Sequence, residues 1–307
     1  MAPRSQPVDY ATLVRRAKES DFAFALGGFA VLVIAMTMLL ALVIDLAVDG
    51  VPRLTPEFFT NFPSRNPERA GILSAWVGTS LVMLVTMVLA VPLGVAAGLY
   101  LEEYAPKNWI TNLIEINVTN LAGVPSIIYG LLALGMFVYG LGMGETILVA
   151  GLVLSLLILP VIIVASREAI RSIPQGVREG SYALGADKWQ TMRMYIVPAA
   201  TPGILTGAII GMSRAIGETA PIITIGALSF IAFLPPAPIQ PDFPFISFEW
   251  LNSPFTVMPI QMFNWVSRPQ AGFHVNAAAA GVVLVAMTLI MNGLAIWIRY
   301  HVRKAMR

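Results

Sequence analysis

The stretch SRAIGETAP, residues 213–221, places Arg214 and Glu218 four residues apart inside a long apolar run. An arginine at the centre of a membrane helix is about 2.5–3.5 kcal/mol uphill on insertion scales, so its presence there asks for a partner or a task. The i, i+4 spacing puts both side chains on one helical face, and Arg before Glu is the weaker order for such a pair. That order reads against a bridge optimised for stability alone. The chemistry that suits the pair is capture of a tetrahedral oxyanion: a guanidinium donates bidentate hydrogen bonds from a planar fork and keeps its charge. Glu218 would then either hold the fork while the site is empty or compete with the anion for it. A self-neutralising bridge, or an arginine snorkelling outward, is the competing reading of the same two residues.

The surface beside the pair is a stripe of small residues, Ala199, Gly203, Gly207, Gly211 and Ala215, recurring every four positions. Such a stripe lets another helix pack closely. Arg214 and Glu218 lie about 60° to one side of it, so they are expected to face a protein seam or cavity instead of lipid. The apolar region runs on over 199–234, about 54 Å as a helix and too long for one straight crossing. Pro221 supplies the expected helix break, because it donates no backbone hydrogen bond and its ring clashes with the carbonyl of Gly217.

The whole chain supports a membrane setting for these residues. Hydrophobic residues make up 57% of it, charged residues 12%, and the mean hydropathy is +0.77. The fold class expected is an all-α membrane protein with six transmembrane helices, at about 22–48, 72–101, 118–139, 146–165, 199–220 and 275–298. Around them lie a polar leader (1–21), one membrane domain (22–298) and a basic tail (299–307). Within that domain are a loop at 166–198 and, on the other side, a Pro-, Phe- and Trp-rich loop at 234–274. The first apolar run is too long for a signal-peptide core and is read as a retained span. Lys and Arg number 14 on the side of the termini and 4 on the other, which places both termini in the cytoplasm.

Several functions are excluded. There is no cysteine, and His274 and His301 are isolated, so no metal site is expected. No histidine neighbours Arg214 and Glu218, no Gly-x-Ser-x-Gly occurs, and no catalytic set is assigned. None of the four lysines, Lys18, Lys107, Lys188 and Lys304, is followed by Ser or Thr, so the chain has no phosphate-binding loop and no motor of its own.

The loop reads REAIRSIPQGVREGSYALGADKWQTMRMYIVP, residues 167–198, with helical patterning on both sides of Gly185. EGSYALG, nine residues and then YIVP resembles the EAA loop of ABC importer permeases, a short helical element that docks into the ATPase subunit. Glu179, Gly185 and Pro198 match at the spacing of that motif. Gly180 and Ser181 replace its two alanines, and Tyr195 and Val197 its isoleucine and leucine.

Longer segments narrow the resemblance. TNLAGVPSIIYGLLALG (119–135), LGADKWQT (184–191), SRAIGETAPI (213–222), PIQMFNWVSRPQAGFH (259–274) and MNGLAIWIR (291–299) resemble the PstA family of phosphate transport permeases. The likeness covers nearly everything after about residue 55. It implies one half of an inorganic phosphate importer. In that importer Arg214 and Glu218 lie on the substrate path, and Glu179, Gly185 and Pro198 couple to the motor. The implied partners are a homologous permease, PstC; two copies of an ATPase, PstB, which binds the ATP and Mg; and an extracytoplasmic phosphate-binding protein, PstS. No cofactor is expected in this chain and no nucleic acid among its partners. Asn120, Ser126 and Tyr129 could add donors near the path, though AGVPS is equally a packing helix kinked at Pro125. The alternatives are a permease for sulfate, molybdate or phosphonate, or a membrane subunit in phosphate signalling.

Overall fold

The computed structural model describes residues 10–240 and 245–305. It divides into two units, residues 1–49 and 50–307. The described part of the first lies in helix α1 (Tyr10–Gly50), 41 residues long. The leader expected at 1–21 is thus helical from Tyr10, and residues 1–9 lie outside the described part. Inside α1 the hydroxyl of Thr37 donates to the Val33 carbonyl at 2.8 Å. A polar group in an apolar stretch is satisfied in this way by its own helix.

The second unit is built on α3 (Leu73–Leu99), α6 (Ile147–Arg171), α9 (Val197–Gly217) and α12 (Ala271–Ala305). Helix α6 lies between α3 and α9, and α12 packs on α9 and on α11 (Met258–Val266). The interior they share includes Val82, Leu154, Leu157, Ile158, Ile162, Met212 and Ile222. Close approach of the helices rests on residues without a Cβ. A Cβ at Gly94 would lie 2.7 Å from Ile162 Cγ2, and one at Gly98 2.8 Å from Ser166 Cβ. The stripe on α9 does the same from the other side: a Cβ at Gly203 would lie 2.6 Å from Ala169 Cβ, one at Gly207 would run into Ala165, and one at Gly211 would come 3.3 Å from Ile162 Cγ1. Dispersion between closely packed helices is what holds a bundle together in lipid, where no hydrophobic drive separates helix from solvent.

Five stretches are long and apolar enough to cross a membrane: Lys18–Arg53, Leu73–Tyr104, Ile147–Arg171, Lys188–Gly217 and Ala271–His301. The sixth candidate is a bent pair, which counts as one span only if both arms are taken together. Helix α4 (Trp109–Leu121) and the helix beginning with α5 (Ser126–Ala133) and continuing as a π-helical stretch to Gly140 meet at 105°. The apolar run at 118–139 therefore conceals a break at Gly123–Pro125. Proline drives the residue before it out of the α region, and Pro125 itself adopts ψ 133°. Helix α4 instead starts early, capped by Asn108, whose side chain accepts from the Thr111 N–H.

At the end of this unit opposite the 172–196 loop, α2 (Pro56–Thr60) and α11 pack around Phe58, Ile72, Trp265 and Phe273. Arg53 secures this end by donating to Asn276 Oδ1 at 2.9 Å and to the carbonyls of Glu68 at 2.7 Å and Ala70 at 3.1 Å. The loop expected at 234–274 carries α11 within it.

Candidate functional site

Helix α9 stops at Gly217. Glu218 is extended (φ −76°, ψ 123°), and helix α10 (Ala220–Thr224) begins two residues later with Pro221 in its first turn. The chain therefore parts at Glu218–Thr219, ahead of Pro221. A proline cannot sit four residues after a helical carbonyl without clashing, and Gly217 supplies that carbonyl. Unwinding just after Gly217 removes the clash and leaves the proline at the first helical turn, where it is tolerated.

Arg214 thus occupies the last turn of α9, where a cation is favoured by the carbonyl end of the helix. Its Nε donates to Glu218 Oε1 at 3.1 Å. The Arg214 side chain is 39% exposed and that of Glu218 19%. The two therefore differ: Glu218 turns toward its own chain, beside a void of about 10 Å³ that it lines with Thr79 and Met83, while Arg214 faces outward. The neighbouring small residues, Gly211 and Ala215, are buried, so the stripe and the arginine lie on different faces, as their angular offset requires.

Helix α10 is seated on α5. A Cβ at Gly130 would meet Thr224 Oγ1 and lie 2.7 Å from Pro221 Cα. Beside it, Tyr129 donates its hydroxyl to the Leu121 carbonyl at 2.8 Å, across the bend between α4 and α5. Pro125 cannot supply the helical N–H to that carbonyl, which takes the Val124 N–H at 3.2 Å and the Tyr129 hydroxyl instead. Asn120 lines a separate cavity, and Ser126 opens α5.

The loop after α6 forms α7 (Gln175–Ala183) and α8 (Lys188–Thr191). Gly185 lies between them at φ +86°, a conformation that glycine adopts without cost. Asp187 caps α8 by accepting from the Gln190 N–H at 2.7 Å, and the Gln190 side chain accepts from the Asp187 N–H at 3.0 Å. Ser181 and Thr191 hydrogen-bond at 2.9 Å and tie the two helices together. Glu179 is exposed on α7, Leu184 (86%) and Trp189 (62%) expose apolar side chains nearby, and Pro198 lies in the first turn of α9.

One charged network escaped sequence reasoning. At the π-helical turn Tyr100–Tyr104 that ends α3, Glu102 pairs with Arg171 at 2.9 Å and Arg167 at 3.4 Å. Arg167 also pairs with Glu115 of α4 at 2.7 Å, and Glu103 pairs with Arg178 of α7 at 2.6 Å. Glu115, Arg167 and Arg171 line a cavity of about 400 Å³ together with Thr119, Asn120 and Glu168. The available signal was Glu-Glu directly after one span and two arginines four apart at the end of another; as basic residues, those arginines counted only toward orientation. Among the described residues, no group of three or more His, Cys, Asp or Glu is arranged to hold a metal ion.

The family described as "Binding-protein-dependent transport system inner membrane component" matches residues 90–307. "Probable ABC transporter permease protein YqgI" of Bacillus subtilis (strain 168) is 32% identical over 270 residues, 86% of this chain and 90% of that protein. "Phosphate transport system permease protein PstA 1" of Mycobacterium tuberculosis (strain CDC 1551 / Oshkosh) is 30% identical over 300 residues, 94% of this chain and 91% of that one. Among solved structures, the fold is similar to a chain of a bacterial alginate ABC transporter in complex with its alginate pentasaccharide-bound periplasmic protein. The TM-score is 0.62 at 13% identity, covering 91% of this chain and 94% of that one. A chain of the inward-facing MetNI methionine ABC transporter matches with a TM-score of 0.55 at 19% identity, over 74% of this chain and 93% of that one.

Proposed function

We propose that this chain, which belongs to the family of binding-protein-dependent transport system inner membrane components, is a permease subunit of an ATP-driven importer of inorganic phosphate. The observation that carries the cargo is Arg214: a charge-fixed guanidinium at the end of a membrane helix, paired with Glu218 and 39% exposed, in a chain 30% identical over most of its length to a phosphate transport permease. An arginine so placed donates two parallel hydrogen bonds to a phosphate oxygen pair, and Glu218 returns to hold it when the anion leaves. The side of Arg214 left open by its own chain is closed by a second, homologous permease. Alternating access then exposes the pair first outward and then inward.

The loop side is cytoplasmic, with both termini on it, in keeping with the excess of Lys and Arg there. Glu179, Gly185 and Pro198 belong to the element that meets the ATPase, and the exposed Leu184 and Trp189 add the apolar area such docking buries. ATP and Mg bind to that ATPase, of which two copies serve the pair of permeases. A phosphate-binding protein delivers cargo to the opposite side. The chain itself catalyses no reaction, and phosphate passes through unchanged. The test is ATP-driven uptake of labelled phosphate by the reconstituted complex with sulfate in excess. Uptake that sulfate does not suppress supports phosphate as cargo, and uptake that follows sulfate instead overturns it.

A further inference from the structure

The two consecutive carboxylates after α3 serve different partners. Glu103 accepts from Arg178 of α7 through Nη2 at 2.6 Å and Nε at 3.0 Å, with side chains exposed by 10% and 13%. Arg178 also donates to the carbonyls of Ile173 at 2.9 Å and Ile170 at 3.2 Å, at the end of α6. Glu102, about a quarter turn away on the same π-helical turn, takes the two arginines of α6. One of these, Arg167, is 9% exposed and reaches on to Glu115 of α4.

Helix α7 packs mainly on α8, and α4 mainly on α6. The turn is also reached by α8, whose Lys188 ammonium lies 4.8 Å from the Tyr104 ring centroid, and Leu99 and Tyr104 pack against the apolar cluster of Ile170, Met192 and Ile196. The charged link of α7 to the end of α3 is the Arg178–Glu103 pair, and that of α4 to the same turn is the relay Glu102–Arg167–Glu115. Beyond α4 the connection continues through the Tyr129–Leu121 hydrogen bond at 2.8 Å to α5, and from Gly130 of α5 onto Pro221 of α10. Pro221 follows Glu218 by three residues. Arg167 is the buried member of the relay, and the Glu103–Arg178 pair is largely shielded, so separating either leaves a poorly compensated charge and the links tend to be kept or exchanged as units.

We propose that Glu102 and Glu103 form the joint that carries movement of α7 through Arg167 and Glu115 into the broken span α4–α5, and so to the break beside Arg214. The proposal rests on the reading of the chain as a permease whose loop meets an ATPase, and is independent of which anion it carries.

The chain has no cysteine, so Ile223→Cys, on an exposed position of α10, gives a single labelling site in it. The rate of thiol labelling is measured in the full reconstituted complex with and without ATP, alongside ATP hydrolysis and retention of the ATPase on purification. The native background shows an ATP-dependent change in labelling rate; its absence would contradict the permease reading itself. Glu103→Gln and Glu115→Gln each reduce that change about tenfold while the ATPase stays bound and active. Glu103→Arg and Arg178→Glu are singly defective, and together they restore the change to within about threefold of native. Glutamine variants that respond to ATP as the native chain does, or a charge swap as defective as its single members in an assembled complex, would overturn the joint and leave the permease reading intact.

Discussion

Arg214 Nε donates to Glu218 Oε1 at 3.1 Å across the point where α9 ends, so donor and acceptor stand on different kinds of backbone. Arg214 is carried by the last turn of a packed helix, and Glu218 by the extended residue that follows. The backbone under the guanidinium is therefore fixed by helical hydrogen bonds, whereas the carboxylate stands where the helix has ended.

If Glu218 accepts the proton that phosphate carries and sulfate lacks, Glu218→Gln keeps the shape and removes that acceptor. The discrimination between the two anions, read as the concentrations of each that halve phosphate uptake, falls about tenfold or more. Undiminished phosphate selectivity in Glu218→Gln would show that the carboxylate takes no proton from the cargo.

Tyr129 spends its hydroxyl on the Leu121 carbonyl inside its own bent span. Tyr129→Phe should therefore cost about 1 kcal/mol of stability and leave the preference for phosphate over sulfate unchanged. A changed anion preference in this variant would move Tyr129 from the scaffold to the path.

A Cβ at Gly207 would run into Ala165, whereas one at Gly293 of α12 has nothing within 4 Å. Gly207→Val is expected to destabilise the bundle by about 1–3 kcal/mol through overpacking. Gly293→Ala should fall within about 0.5 kcal/mol of native or gain slightly. Thermal unfolding of the two purified variants in one detergent checks the contrast, and equal midpoints would contradict the packing of α9 on α6.

Gly185 sits at φ +86° between α7 and α8. Any side chain strains that turn, so Gly185→Val should shift the relative placement of the two helices at a cost of about 1–2 kcal/mol. The expected readout is a several-fold loss of ATPase retained on purification. Full retention would show that the turn does not set the docking geometry.

The reach of sequence reasoning follows from what is local. Spans were legible because some twenty apolar residues in a row are a one-dimensional signal, and Gly185 and Pro221 announce themselves through backbone rules that act over four residues. A kink at Pro125 was one reading of AGVPS, but a corner of 105° was not legible, because a hydropathy window averages over both arms and reads them as one continuous run. Helix α4 hid its start for the same reason: Trp109–Leu121 carries Glu115 and Asn117 and is less apolar than the arm after it. The network at Glu102 and Glu103 joins residues 65, 69 and 75 positions apart, a relationship that exists only once α3, α6 and α7 are packed. The small-residue stripe on α9 was legible, yet its counterparts Gly94 and Gly98 on α3 follow the same rule and went unread.

The most direct test of the central claim is ATP-driven uptake of labelled phosphate by the reconstituted complex carrying either the native chain or Arg214→Ala, with assembly and ATP hydrolysis measured in parallel. Loss of a charge-assisted, bidentate contact should lower uptake about 10- to 100-fold while the complex still assembles and hydrolyses ATP. Undiminished, phosphate-selective uptake by Arg214→Ala would contradict the account and leave the Arg214–Glu218 pair a structural bridge.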